Sequence, residues 1–141
     1  MMIDVYYTQI VYIMTEKTSL LKILLADDDE KFSEMVGMAL TKAGFSVVHA
    51  KNGDEALQMM RREHPSLVLL DIMMPDKLGF EVLEEAKADP SIKDIPVATL
   101  SYLTQDSDIA KVKNLGAIDH IPKTSVSLRD IVDRTKKYLG I

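Results

Sequence analysis

The sequence predicts an α/β fold: one doubly wound parallel sheet of five strands with helices on both faces. Two patterns carry that prediction. Short apolar runs alternate with helix-period segments from Leu20 onward, and no hairpin signal joins any two of the runs. Such alternation requires crossover connections, which keep the strands parallel and place helices on both sides. A third observation says where chemistry belongs. Acids, a hydroxyl and an amine recur just where apolar runs stop, and in an open parallel sheet ligands gather beyond the carboxyl ends of the strands.

The elements follow in order. LLKILLA (20–26) is an apolar run broken only by Lys22, as suits a strand covered on both faces. Four acids, Asp27 to Glu30, follow it directly, and Asp29 and Glu30 suit the cap and first turn of a helix. Phe32, Met35, Val36, Ala39, Leu40 and Ala43 recur at helical spacing until Gly44 stops the helix. FSVVHA (45–50) is a second strand, ended by the turn signal Asn52-Gly53. DEALQMMRRE (54–63) is helical and closes before Pro65, and LVLLDIMM (67–74) is a third strand that stops at Pro75. Gly79 precedes a helix over 80–88, ended by Pro90. IPVATLS (95–101) is the fourth strand, 107–115 a short helix before Gly116, and DHIP (119–122) the fifth strand. Leu128, Ile131, Val132, Thr135 and Leu139 mark a last amphipathic helix.

The start of the chain stands apart. MMIDVYYTQIVYIM has neither the basic start nor the cleavage site of a signal peptide, and its β-branched and aromatic content predicts an extended strand. Residues 1–19 are read as an N-terminal extension, either dispensable or a contact with the domain or with a second copy. Residues 20–141 are read as the domain.

Composition removes several function classes. The chain of 141 residues has a net charge of −5, which does not favour nucleic acid, because phosphate contacts need clustered Lys and Arg. It contains no cysteine, hence no disulfide, thiolate metal site or cysteine nucleophile, and a reducing compartment fits. No apolar run approaches the roughly 20 residues of a membrane span. Neither GxGxxG nor GxxxxGK[ST] occurs, which disfavours a nucleotide- or flavin-binding domain.

What the strand ends bring together is more specific. Asp27 and Asp28 follow the first strand, Asp71 lies at the end of the third, Ser101 ends the fourth and Lys123 follows the fifth. Alone, each has a plainer role as a cap, turn or surface residue. Together they place three carboxylates, a hydroxyl and an ammonium at one sheet edge. Three like charges at close range disfavour one another's ionisation unless cations intervene. Lys123 supplies one positive charge, and Mg²⁺, which prefers oxygen ligands, would bring the formal sum to zero. An Asp beside Mg²⁺ and Lys is poised to attack a phosphoryl group.

KILLADDDE, LVLLDIMMPDKLGF, IPVATLS and GAIDHIPK together resemble the receiver domain of two-component response regulators, over about Lys22 to Leu139. The resemblance implies a flavodoxin-like sheet of order 2-1-3-4-5. It implies that Asp71 is the phosphoacceptor and that Asp27 and Asp28 hold Mg²⁺, Asp28 the more directly, with Asp71 and the backbone carbonyl of Met73. It implies that Ser101 is the switch hydroxyl and that Lys123 pairs with the phosphoryl group.

Three residues depart from the family pattern. His120 replaces an aromatic switch residue, and it either flips between inside and outside or is a half-exposed strand-end histidine. Thr124 replaces a proline after Lys123, so that peptide bond is either trans with an altered loop or a strained cis one. Tyr102 replaces a small residue, and its ring is expected to cover the site, limiting access and slowing dephosphorylation.

The function expected is a phosphorylation-dependent signalling switch. Asp71 would accept a phosphoryl group from a histidine kinase or phosphotransfer protein. Output would run through protein contacts of the face formed by the fourth and fifth strands and the 107–115 helix. Only Gly140 and Ile141 follow Leu139, so a single-domain receiver is expected, cytoplasmic and compatible with a homodimer. The alternatives are a constitutive receiver-like interaction module and a Mg²⁺-dependent phosphatase with an Asp nucleophile. No inserted cap segment is present to build the substrate pocket a phosphatase needs, so an enzyme in that sense is not expected.

Overall fold

A computed structural model describes residues 2–19 and 21–141, with side chains from 4–12 and 21–141. The elements run α1 (Met2–Ser19), β1 (Lys22–Ala26), α2 (Glu30–Lys42), β2 (Ser46–Ala50), α3 (Gly53–Glu63), β3 (Leu67–Leu70), α4 (Gly79–Ala88), β4 (Val97–Ser101), α5 (Asp106–Asn114), β5 (Asp119–Pro122) and α6 (Leu128–Leu139). All strand pairs are parallel, and the sheet order is β2-β1-β3-β4-β5.

The core lies in two layers because strand side chains alternate between faces. Ile23 and Leu25 of β1 join Leu67 and Leu69 of β3 against Val36 and Leu40 of α2 and Ile131 of α6. Their neighbours Leu24, Val68 and Leu70 pack the other way, against Leu57, Val82 and Val112 of α3, α4 and α5. Since β1 and β3 are covered on both faces, they read as continuous apolar runs.

Local chemistry sets the helix ends. The Asp29 carboxylate accepts from the Phe32 N–H at 3.2 Å and starts α2, as its sequence position suggests. Asn52 accepts from the Glu55 N–H at 2.8 Å and starts α3. Ser127 and Asp130 form a reciprocal capping box on α6. Gly44 follows α2 at φ 102°, a left-handed conformation that costs glycine nothing.

The structure corrects several expectations. The N-terminal extension is helical, not extended: α1 spans Met2–Ser19, and Val5, Tyr6, Tyr7, Ile10, Val11 and Tyr12 are exposed on it. Strand propensity is a weak prior, and Asp4 in the first turn favours a helix through its dipole. The third strand ends at Leu70, four residues before the predicted Met74. Its apolar run continues because Ile72 and Met74 are buried from a loop, not from a strand. The described β1, β2 and β4 begin at Lys22, Ser46 and Val97, one or two residues inside the predicted runs. Met1 and Leu20 lie outside the described residues. No peptide bond is cis among the described residues, so Lys123–Thr124 is trans.

Candidate functional site

Asp27, Asp71 and Lys123 each stand one residue past a strand and are each fixed by one more rung of the backbone ladder. The Asp27 N–H donates to the Ala50 carbonyl at 3.0 Å, that of Asp71 to Ala26 at 2.9 Å, and that of Lys123 to Ser101 at 2.9 Å. Their side chains are thus aimed by the sheet itself. Because β1 and β3 are neighbours, Asp27 and Asp71 are brought side by side, and β5 delivers Lys123 across β4.

Carboxylate oxygens of Asp27, Asp28 and Asp71 all lie within 4.8 Å of one another. Asp27 and Asp71 are buried, Asp28 is exposed. The Asp27 Oδ1 accepts from the Asp29 N–H at 2.9 Å, and the Asp71 Oδ1 accepts from the Met73 N–H at 3.2 Å. Lys123 Nζ lies 2.6 Å from the Asp27 Oδ2 and 3.3 Å from the Asp71 Oδ2. The contact with Asp71 is a directed hydrogen bond. The shorter contact, with Asp27, sets the ammonium directly against the buried Oδ2.

The charge and chemistry of the donor set test whether a cation fits. One ammonium cannot balance three carboxylates gathered within 4.8 Å of one another, and buried charge left unbalanced is costly. Three carboxylates at one point, hard oxygen donors with Asp28 open to water, are the set Mg²⁺ accepts while keeping some of its own waters.

Electrostatics separates the members. Burial pushes the Asp71 pKa up to about 6, helped by the Asp27 charge and opposed by Lys123 and the Met73 N–H. Burial also disfavours the Lys123 ammonium, but Asp27 and Asp71 outweigh it and hold its pKa above the ordinary lysine value.

The other predicted residues fall as follows. Ser101 is fully buried, and its Oγ accepts from the Leu103 N–H at 3.3 Å. Met73 follows Asp71 in the loop, with its side chain exposed. Tyr102 is exposed at its rim, but its ring centroid lies 5.1 Å from Lys123 Nζ. His120 is buried, not half-exposed, and is tied at both ring nitrogens: Nδ1 is 2.6 Å from Thr99 Oγ1 and Nε2 is 2.8 Å from the Leu103 carbonyl.

Two contributors escaped the sequence reading. Phe32, counted only as a core position of its helix, sets its ring centroid 4.5 Å from Lys123 Nζ. Thr99, inside the apolar fourth run, faces His120. The register Thr99↔His120 makes them cross-strand partners, so pairing the two strands in sequence would have exposed that contact.

Comparisons with known proteins bear on the family and the fold. Residues 23–136 match the response regulator receiver domain. Response regulator RR06 of Streptococcus pneumoniae serotype 2 is 40% identical over 119 residues, covering 84% of this chain and 53% of its own. The polar-differentiation response regulator DivK of Brucella ovis is 27% identical over 118 residues, covering 84% of this chain and 95% of its own. The crystal structure of a CheY-like response regulator receiver domain protein from Methanospirillum hungatei superposes with a TM-score of 0.78 at 28% identity, covering 85% of this chain and 94% of its own. The chain spans about half the length of the first curated relatives it matches.

Proposed function

The chain belongs to the response regulator receiver domain family, and from that premise we propose that it is a phosphorylation-dependent switch in which Asp71 accepts the phosphoryl group. The observation that carries this reading is the buried Asp71 carboxylate beside Lys123, within 4.8 Å of the carboxylates of Asp27 and Asp28.

A phosphohistidine of a kinase or phosphotransfer protein is the donor class. The Asp71 oxygen attacks phosphorus, the P–N bond breaks, and the donor imidazole leaves. Mg²⁺ held by Asp27, Asp28, Asp71 and the Met73 carbonyl would neutralise charge on the transferring oxygens. Lys123, already 3.3 Å from the Asp71 Oδ2, offers a second positive charge to the same oxygens. Ser101, whose Oγ accepts from the Leu103 N–H, is the hydroxyl that would turn toward the new phosphoryl oxygens. The face formed by β4, α5 and β5 carries the signal to a protein target. Asp71 is consumed and regenerated as an acceptor, not turned over on a small substrate. Residues 20–141 are the receiver, with α1 an addition to it.

Incubation with acetyl phosphate and Mg²⁺, followed by peptide mapping of the acyl phosphate, tests the assignment. Label on Asp71, lost in Asp71→Asn, supports it. Label elsewhere, or none, overturns it.

A further inference from the structure

Lys123 is enclosed by more than its two carboxylates. Its side chain is 1% exposed, and two rings close over the ammonium: Phe32 from the first turn of α2 and Tyr102 from just past β4. Both centroids lie within the roughly 6 Å at which a ring face attracts a cation.

Neighbouring backbone holds Tyr102 in place. The Leu103 N–H donates to Ser101 Oγ, and the Leu103 carbonyl accepts from His120 Nε2 at 2.8 Å. A carbonyl only accepts, so Nε2 carries the proton, and Nδ1 accepts from the Thr99 hydroxyl at 2.6 Å. Tyr102 therefore sits in a segment with two anchors. One anchor is the same hydroxyl that the phosphoryl group would recruit. The other, His120, is fastened to β4 through Thr99 and does not depend on Ser101.

We propose that Tyr102 and Phe32 form an aromatic lid over the Lys123–Asp71 pair, latched by His120, which restricts water's access to phosphorylated Asp71. This rests on Asp71 being the phosphoacceptor. Hydrolysis requires a water oxygen to attack phosphorus while the bond from phosphorus to the Asp71 oxygen breaks, releasing inorganic phosphate and a free carboxylate. The water's proton goes to the phosphate or to solvent. Rings over the ammonium narrow that approach. When Ser101 turns to the phosphoryl group, the Leu103 N–H loses its acceptor, but the His120 bond remains and keeps the lid down. A phenyl ring at position 120 has no donor to make that bond. His120 thus acts as a positioning residue, through Leu103 and Tyr102.

The test is the lifetime of the acyl phosphate on Asp71 after removal of acetyl phosphate, in intact protein with Mg²⁺. Donor transfer breaks the bond from phosphorus to the acetyl oxygen and releases acetate. Tyr102→Ala, at an exposed side chain, is expected to shorten the lifetime several-fold, and Tyr102→Phe to preserve it. His120→Phe keeps the ring but removes the donor, and is expected to shorten the lifetime as well. Adding it to Tyr102→Ala should shorten the lifetime no further, because the latch has no lid to hold. A purely structural role for His120 would instead give additive effects, which would overturn the latch. Equal lifetimes in wild type and Tyr102→Ala overturn the lid while leaving Asp71 as acceptor. Absence of label from every variant overturns the acceptor assignment and the lid with it.

Discussion

The Asp71 carboxylate is buried between a cation, Lys123, and a second carboxylate, Asp27. Its folded pKa, about 6, lies above the ordinary carboxylate value because burial outweighs Lys123. A group with a raised folded pKa favours the native state at acidic pH. That contribution is complete below the unfolded value, near 4, and is lost as pH rises through about 6. The ionised carboxylate therefore destabilises the metal-free protein at neutral pH. Asp71→Asn is expected to be more stable than wild type at pH 8 in chelator, by on the order of 1–2 kcal/mol in urea denaturation. The difference should vanish near pH 4. Equal stability at pH 8 would mean that Asp71 is better compensated than its contacts indicate. At this scale the sequence was informative about Asp27, Asp28 and Lys123, because the end of an apolar run marks a position at the sheet edge, and about Asp71 as the one charge inside the third apolar run. It was silent on Phe32, whose helical spacing is satisfied equally by a core role, and on the Leu103 backbone, which no side-chain pattern reports.

Elements position these residues, and α4 shows how tightly. A Cβ at Gly79 would meet the Asp71 carbonyl and the Ile72 Cα, each at 2.7 Å, and backbone at that distance has to shift. The Gly79 N–H also donates to the Ile72 carbonyl at 2.8 Å, fastening the start of α4 to the loop that holds Asp71. Gly79→Ala is expected to cost about 1–3 kcal/mol in a thermal or urea melt and to weaken Mg²⁺ binding. Unchanged stability would show that α4 can slide without disturbing the site. Element type was legible wherever a period was sustained, as in α2 and α6. Boundaries were not. β3 was read four residues too long because Ile72 and Met74 stay buried after the strand ends. For α1, β-branched and aromatic residues pointed to a strand, and the propensity was overridden.

Across the whole molecule, the sheet order β2-β1-β3-β4-β5 gathers residues far apart in sequence at one edge. The result is a cleft of three carboxylates and one ammonium in a chain already at −5. Any ligand that binds the native state alone stabilises it. Mg²⁺ at a hundredfold excess over its Kd should contribute about 2.7 kcal/mol, seen as a rise in Tm that chelator reverses. Asp28 is exposed and makes no core contact, so Asp28→Asn should abolish that rise and leave the metal-free Tm unchanged. A persisting rise would place the ion elsewhere. The most direct measurement of the switch is the amide NMR spectrum with beryllofluoride and Mg²⁺, in wild type and in Asp71→Ala. The arrangement predicts shifts around Asp71 that spread through residues 101–105 and 119–123 in wild type and are absent in Asp71→Ala. A silent wild-type spectrum, or the same shifts in both proteins, would contradict it.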